Sequence, residues 1–120
     1  MRVLIADDNA LVREGLAEII GDNAWEVCGQ VSDGTQTLEQ ARVLRPDLVL
    51  LDVSMPGANG LEIAAAIKHE MPTIKVLIVS QHDFNQLLTD AQRGLADGFI
   101  DKSRLVTDLA STIAKILGER

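Results

Sequence analysis

Five side chains in this sequence are of the types that handle phosphate and divalent metal: the carboxylates of Asp7, Asp8 and Asp52, the Ser80 hydroxyl and the Lys102 ammonium. Asp52 stands out because it closes the run Leu48-Val49-Leu50-Leu51. Four consecutive aliphatic residues read as a strand buried on both faces, and an acid at the end of such a strand is costly unless something pairs with it. Three carboxylates and one ammonium sum to −3 + 1 = −2, which one divalent cation brings to zero. Mg2+ is the natural candidate, since it takes oxygen ligands, accepts one or two carboxylates alongside waters, and co-binds phosphate. No Cys or His cluster points to zinc. A carboxylate beside Mg2+ can attack the phosphorus of an activated donor and form an acyl phosphate. Lys102 then supplies a point charge, and Ser80 a hydrogen bond, for the phosphoryl oxygens.

Each of these residues falls where a predicted strand ends. Arg2 to Ala6 is a short aliphatic strand stopped by Asp7-Asp8-Asn9, and Val12, Leu16, Ile19 and Ile20 then form the stripe of a helix from Ala10 to Ile20 that Gly21 closes. Trp25, Val27, Gly29 and Val31 alternate with polar neighbours, as in an edge strand with one buried face. Asp33-Gly34 opens a helix to about Leu44, with Thr37, Leu38, Ala41 and Leu44 inward and Pro46 forbidding continuation. After Asp52, a turn-rich loop from Val53 to Gly60 leads to a helix ending near Glu70, with Asn59 and Glu62 spaced as in a capping box. Lys75 to Val79 is a strand ending at Ser80, Phe84 to Arg93 a less regular helix, and Gly98 to Asp101 a brief strand ending at Lys102. Ser103 is placed to cap a last helix with Val106, Leu109, Ile113 and Ile116 inward, and Gly118 ends it. Five β–α units predict an α/β fold with a five-stranded parallel sheet, order 2-1-3-4-5, helices on both faces and a ligand crevice between the first and third strands.

With 120 residues, 47% of them hydrophobic, the chain is sized for one domain over 1–120. Its net charge of −7 opposes direct contact with nucleic acid or an anionic membrane. One cysteine, Cys28, cannot form an internal disulfide and reads as structural; with no extended apolar segment at the N-terminus before Asp7 and Asp8, the expected location is the cytoplasm. Aromatic residues make up 2% of the chain, which argues against a flavin carrier of the same topology. His69 and His82 read as solvent-facing.

Asp7-Asp8, Asp52 followed by Met55-Pro56 and Gly60, then Ser80, Phe99 and Lys102 together resemble the receiver domains of bacterial two-component response regulators. The resemblance covers the whole chain. The run Met1 to Asp8 and Asp97-Gly98-Phe99 is most like the nitrate-response class, whose members continue into a helix-turn-helix DNA-binding domain not contained in residues 1–120. The resemblance implies that a sensor histidine kinase phosphorylates Asp52. It also implies that Asp8, Asp52 and the backbone carbonyl of Ser54 hold Mg2+, with Asp7 helping through water. Ser80 and Phe99 would couple Asp52 to a face made by the fourth helix, fifth strand and fifth helix, with homodimerisation on phosphorylation and transcription as the output. The domain would promote only its own phosphorylation and dephosphorylation rather than turn over an external substrate. Ser54 and Gln81 flank the phosphorylation site and would tune access to it. Gln81 stands where relatives have a small residue, Leu95 where glycine is common, Ser103 where proline is common and Phe99 where tyrosine is frequent. The alternative is a Mg2+-dependent phosphohydrolase, but that chemistry needs a second acid, and Asp52-Val53-Ser54 offers none two residues on.

Overall fold

A computed structural model describes residues 1–57, 59–80, 88–89, 92 and 94–118. Strands β1 (Arg2–Ala6), β2 (Glu26–Val31), β3 (Leu48–Asp52), β4 (Lys75–Ser80) and β5 (Gly98–Asp101) form one sheet in the order β2-β1-β3-β4-β5. Every neighbouring pair is parallel. Burial explains the order: β3 is buried at all five positions and β4 at all but its first, whereas β2 and β5 are largely half-exposed and sit at the edges. Alternate residues of β3 serve opposite faces. Val49 and Leu51 join α2 (Gly34–Leu44) and α3 (Gly60–Glu70) through Ala41, Ile63 and Ile67, while Leu48 and Leu50 join α1 (Ala10–Asp22) and α4 (Leu105–Ile116) through Leu16, Ile20, Leu109 and Ile113. Helices therefore cover both faces, as the β–α succession predicts. Among the described residues no helix is long and apolar enough to cross a membrane.

Several local expectations are corrected. Gly21 does not close α1, which continues to Asp22 and is capped by Asn23; the left-handed residue is Ala24, at φ 61°. In β2 the alternation breaks at Cys28, because Val3 pairs with Val27 and Leu4 with Gly29. That extra residue flips the strand's facing: Trp25 and Val27 pack on the α1 side, Cys28 and Val31 on the α2 side.

The C-terminal end differs more. Ser103 does not cap the last helix; Lys102–Arg104 form a 3-10 turn whose cap is Asp101, and α4 begins only at Leu105. The inward stripe is shifted accordingly. Val106 is 88% exposed, and Leu105 and Leu117 pack against the core in company with Leu109, Ile113 and Ile116. No described peptide bond is cis, so Lys102–Ser103 is trans. Most of the predicted helix Phe84 to Arg93, together with Gln81 and His82, lies outside the described residues, while His69 is exposed at the end of α3 as expected.

The loop after β3 is held close to its surroundings. Pro56 O accepts from Gly34 N at 3.0 Å, Gly57 adopts φ 99°, and Asn59 caps α3 by accepting from Leu61 N. At Gly60 a Cβ would stand 2.5 Å from Val53 Cα, so only glycine lets α3 start against this loop.

Candidate functional site

The parallel register brings the strand ends to one rim. Ala6 lies opposite Leu51, Asp52 opposite Val79 and Ser80 opposite Asp101, so Asp7, Asp52, Ser80 and Lys102 emerge side by side. Asp7, Asp8 and Asp52 each offer one carboxylate oxygen, and these three atoms lie within 4.8 Å of one another. Asp7 and Asp52 are each only 1% exposed, whereas Asp8 faces solvent. Lys102 Nζ stands 3.4 Å from Asp7 Oδ2 and 3.4 Å from Asp52 Oδ2, bridging the two buried acids.

Short local bonds fix these groups. Asn9 N donates to Asp7 Oδ1 at 2.8 Å, and the Asn9 side chain accepts from Leu11 N and Val12 N, so one residue caps α1 and orients the first acid. Ser54 N and Ser54 Oγ donate to Asp52 Oδ1 at 3.1 and 2.9 Å. Lys102 is set by the turn that Asp101 Oδ1 caps, accepting from Ser103 N and Ser103 Oγ, both at 2.9 Å. Each buried acid thus has one oxygen engaged, while Asp7 Oδ2 and Asp52 Oδ2 have no hydrogen-bond partner beyond their ion pairs with Lys102. Burial pushes the Asp7 carboxyl above its ordinary range; the Asn9 amide opposes that rise, the Asp52 charge adds to it, and Lys102 opposes it. A converging set of hard oxygen donors, two of them buried with an unsatisfied oxygen each, fits a small divalent cation.

The structure therefore brings together Asp7, Asp8, Asp52 and Lys102, with Ser80 buried at the end of β4 beside them. Ser54 is exposed and contacts Asp52 through its amide and hydroxyl. Phe99 is half-buried on β5 and packs against the core cluster on the α2–α3 side. Sequence patterns miss one participant, Arg13, whose Nη1 donates to the Asp7 backbone carbonyl at 2.7 Å. Its place in the first turns of α1, off the apolar stripe, marks it only as a surface cation.

Comparison with known protein families matches residues 3–114 to the response regulator receiver domain. The chain is 34% identical over 122 residues to the response regulator GacA of Pseudomonas viridiflava, covering all of this chain and 57% of that protein. It is 35% identical over 115 residues to the probable transcriptional regulatory protein NarL of Mycobacterium tuberculosis H37Rv, covering 94% of this chain and 53% of that one. The chain thus spans a little over half the length of these relatives. Among solved structures, the receiver domain of NarL from Mycobacterium tuberculosis superposes with a TM-score of 0.83 at 30% identity, covering 99% of this chain and 97% of that one. The receiver domain of AraT from Geobacillus stearothermophilus gives 0.84 at 31% identity, with 96% and 91% covered. The chain belongs to the response regulator receiver domain family.

Proposed function

We propose that this receiver domain is a phosphorylation-driven switch in which Asp52 accepts a phosphoryl group from the phosphohistidine of a sensor histidine kinase. The observation that carries this reading is the gathering of Asp7, Asp8 and Asp52 within 4.8 Å, with Lys102 at 3.4 Å from two of them. A carboxylate oxygen of Asp52 attacks phosphorus as the bond to the donor nitrogen breaks, and the electron pair leaves with the histidine. Asp8, Asp52 and the Ser54 carbonyl would hold Mg2+, with Asp7 acting through water; when bound, this ion neutralises charge that develops on the phosphoryl oxygens.

The chain's own residues do the positioning. Ser54 fixes the rotation of the Asp52 carboxylate through Oδ1. Lys102, already between Asp7 and Asp52, is placed to transfer its ion pair to the phosphoryl group. Ser80 donates its hydroxyl to a phosphoryl oxygen and, with Phe99, carries the change to the face around β5. Ser54 and Gln81 tune access to the acyl phosphate. Residues 1–120 act as a receiver unit whose output, transcription through a DNA-binding domain by analogy with NarL, lies in another module; phosphorylation favours a homodimer. Exposure to a small acyl-phosphate donor with Mg2+ tests the reading: one phosphoryl group should appear on Asp52. Steady hydrolysis of an external phosphoester would instead point to a phosphohydrolase.

A further inference from the structure

We infer that Arg13 is a positioning residue for the acid pair, a brace that holds the Asp7–Asp8 peptide and thereby sets how well Asp8 can meet a metal ion; this rests on the metal-dependent reading above. The β1 ladder is spent at this point, since Asp7 N makes a last bond to Val31 O at 3.1 Å and the chain must turn into α1. The helix, in turn, first uses the carbonyl of Asn9, which accepts from Arg13 N at 3.1 Å. The Asp7 carbonyl falls between these two ladders, and the Arg13 guanidinium reaches back to it at 2.7 Å. Arg13 is therefore tied to the turn twice, by its backbone to Asn9 and by its side chain to Asp7.

The consequence for Asp8 follows from peptide planarity. The Asp7 carbonyl and the Asp8 amide lie in one plane, so holding the first also holds the Asp8 N and Cα from which its side chain departs. Asp7 has a second hold through Asn9 N on its Oδ1. Asp8 faces solvent, and no side-chain hydrogen bond within the described residues holds its carboxylate. Its aim toward Asp7 and Asp52 depends on the backbone that Arg13 secures.

The sign of the effect separates this role from simple charge. A guanidinium near three carboxylates repels a divalent cation, so removing it as a mere charge should tighten metal binding; removing it as a brace should weaken binding. Loss of outer-shell partners of metal ligands costs about tenfold or more in affinity. Calorimetric Mg2+ titration of the parent, Arg13→Ala and Arg13→Lys, with amide hydrogen exchange of the metal-free proteins, tests the brace directly. Arg13→Ala should weaken Mg2+ about tenfold and speed exchange at the Asp8 and Asn9 amides while leaving exchange in β3 and α4 unchanged. Arg13→Lys, which keeps the charge and a donor, should recover part of both effects and carries the test if Arg13→Ala does not fold. Unchanged or tighter Mg2+ binding in a folded Arg13→Ala, or unchanged exchange at Asn9, overturns the brace. A parent that binds no Mg2+ overturns the metal reading, and exchange at Asn9 in the metal-free proteins still decides whether Arg13 holds the turn.

Discussion

Asp7 shows what it costs to keep this site ready. Its carboxyl is buried and pushed above its ordinary value of 3.8, chiefly by desolvation, so the folded chain holds that proton more tightly than the unfolded chain does. Below the ordinary value the group is protonated in both states and costs nothing. As pH rises from there through the raised folded value, the native state binds more protons than the unfolded state, and stability falls. Asp7→Asn should remove this loss, giving metal-free protein a gain on the order of 1 kcal/mol at neutral pH that vanishes in acid. Urea unfolding at several pH values measures it; a variant less stable than the parent at neutral pH would show that the Lys102 ion pair outweighs the burial. Asp8 should respond differently. It is exposed and free of the Asn9 bond that occupies Asp7 Oδ1, so Asp8→Asn should weaken Mg2+ more than Asp7→Asn does, and equal affinities would contradict that ranking. The acids were readable from sequence because a charge at the end of an apolar strand demands a partner. Arg13 was not, because a guanidinium that reaches a backbone carbonyl leaves no mark in charge or periodicity.

Among the elements, the loop between β3 and α3 is a tight join at Gly60. Gly60→Ala places a Cβ 2.5 Å from Val53 Cα and 2.9 Å from Val53 Cγ1, contacts that only a backbone shift relieves. Such overpacking costs roughly 1–3 kcal/mol, and because Val53 follows Asp52 the shift should also lower the rate of phosphorylation. Chemical denaturation with a parallel phosphorylation time course tests this; unchanged stability would mean the loop yields freely. Strand type and order could be read from burial demand, since the aliphatic runs of β1, β3 and β4 suit only interior places. Phase was harder to read. One unpaired residue at Cys28 reversed the facing of β2, and the 3-10 turn after Lys102 delayed α4 and rotated Val106 outward. Both depend on partners distant in sequence, which a local pattern does not contain.

For the whole molecule, the question is how a charge added at one rim reaches a partner. Phosphorylation would change the acceptor from about −1 to about −2 and add oxygens to which, on the proposed reading, the Ser80 hydroxyl would donate. Moving a two-state equilibrium from 1:99 to 99:1 takes about 5.5 kcal/mol of differential interaction. One charged hydrogen bond supplies roughly 1.5–3 kcal/mol, so on the proposed reading Ser80 would contribute a share and Lys102 with the metal would have to supply the rest. Ser80→Ala should leave Asp52 able to take phosphate while weakening phosphate-induced association, read by light scattering of phosphorylated and unphosphorylated protein. The same shift in association as the parent would remove Ser80 from the coupling. Phe99, half-buried without a hydroxyl to hold it outward, is the next group in line.

Whether Asp52 is the phosphoacceptor of a metal-dependent site is decided by intact-mass and peptide mass spectrometry after exposure to acetyl phosphate. With Mg2+ the parent should gain one phosphoryl group on the peptide containing Asp52, with far less in its absence. Asp52→Asn, which keeps the size but loses the nucleophilic charge, should fold and gain none there. Equal phosphate incorporation at this site in Asp52→Asn would rule out Asp52 as the acceptor, and equal incorporation in the parent without Mg2+ would rule out the metal dependence.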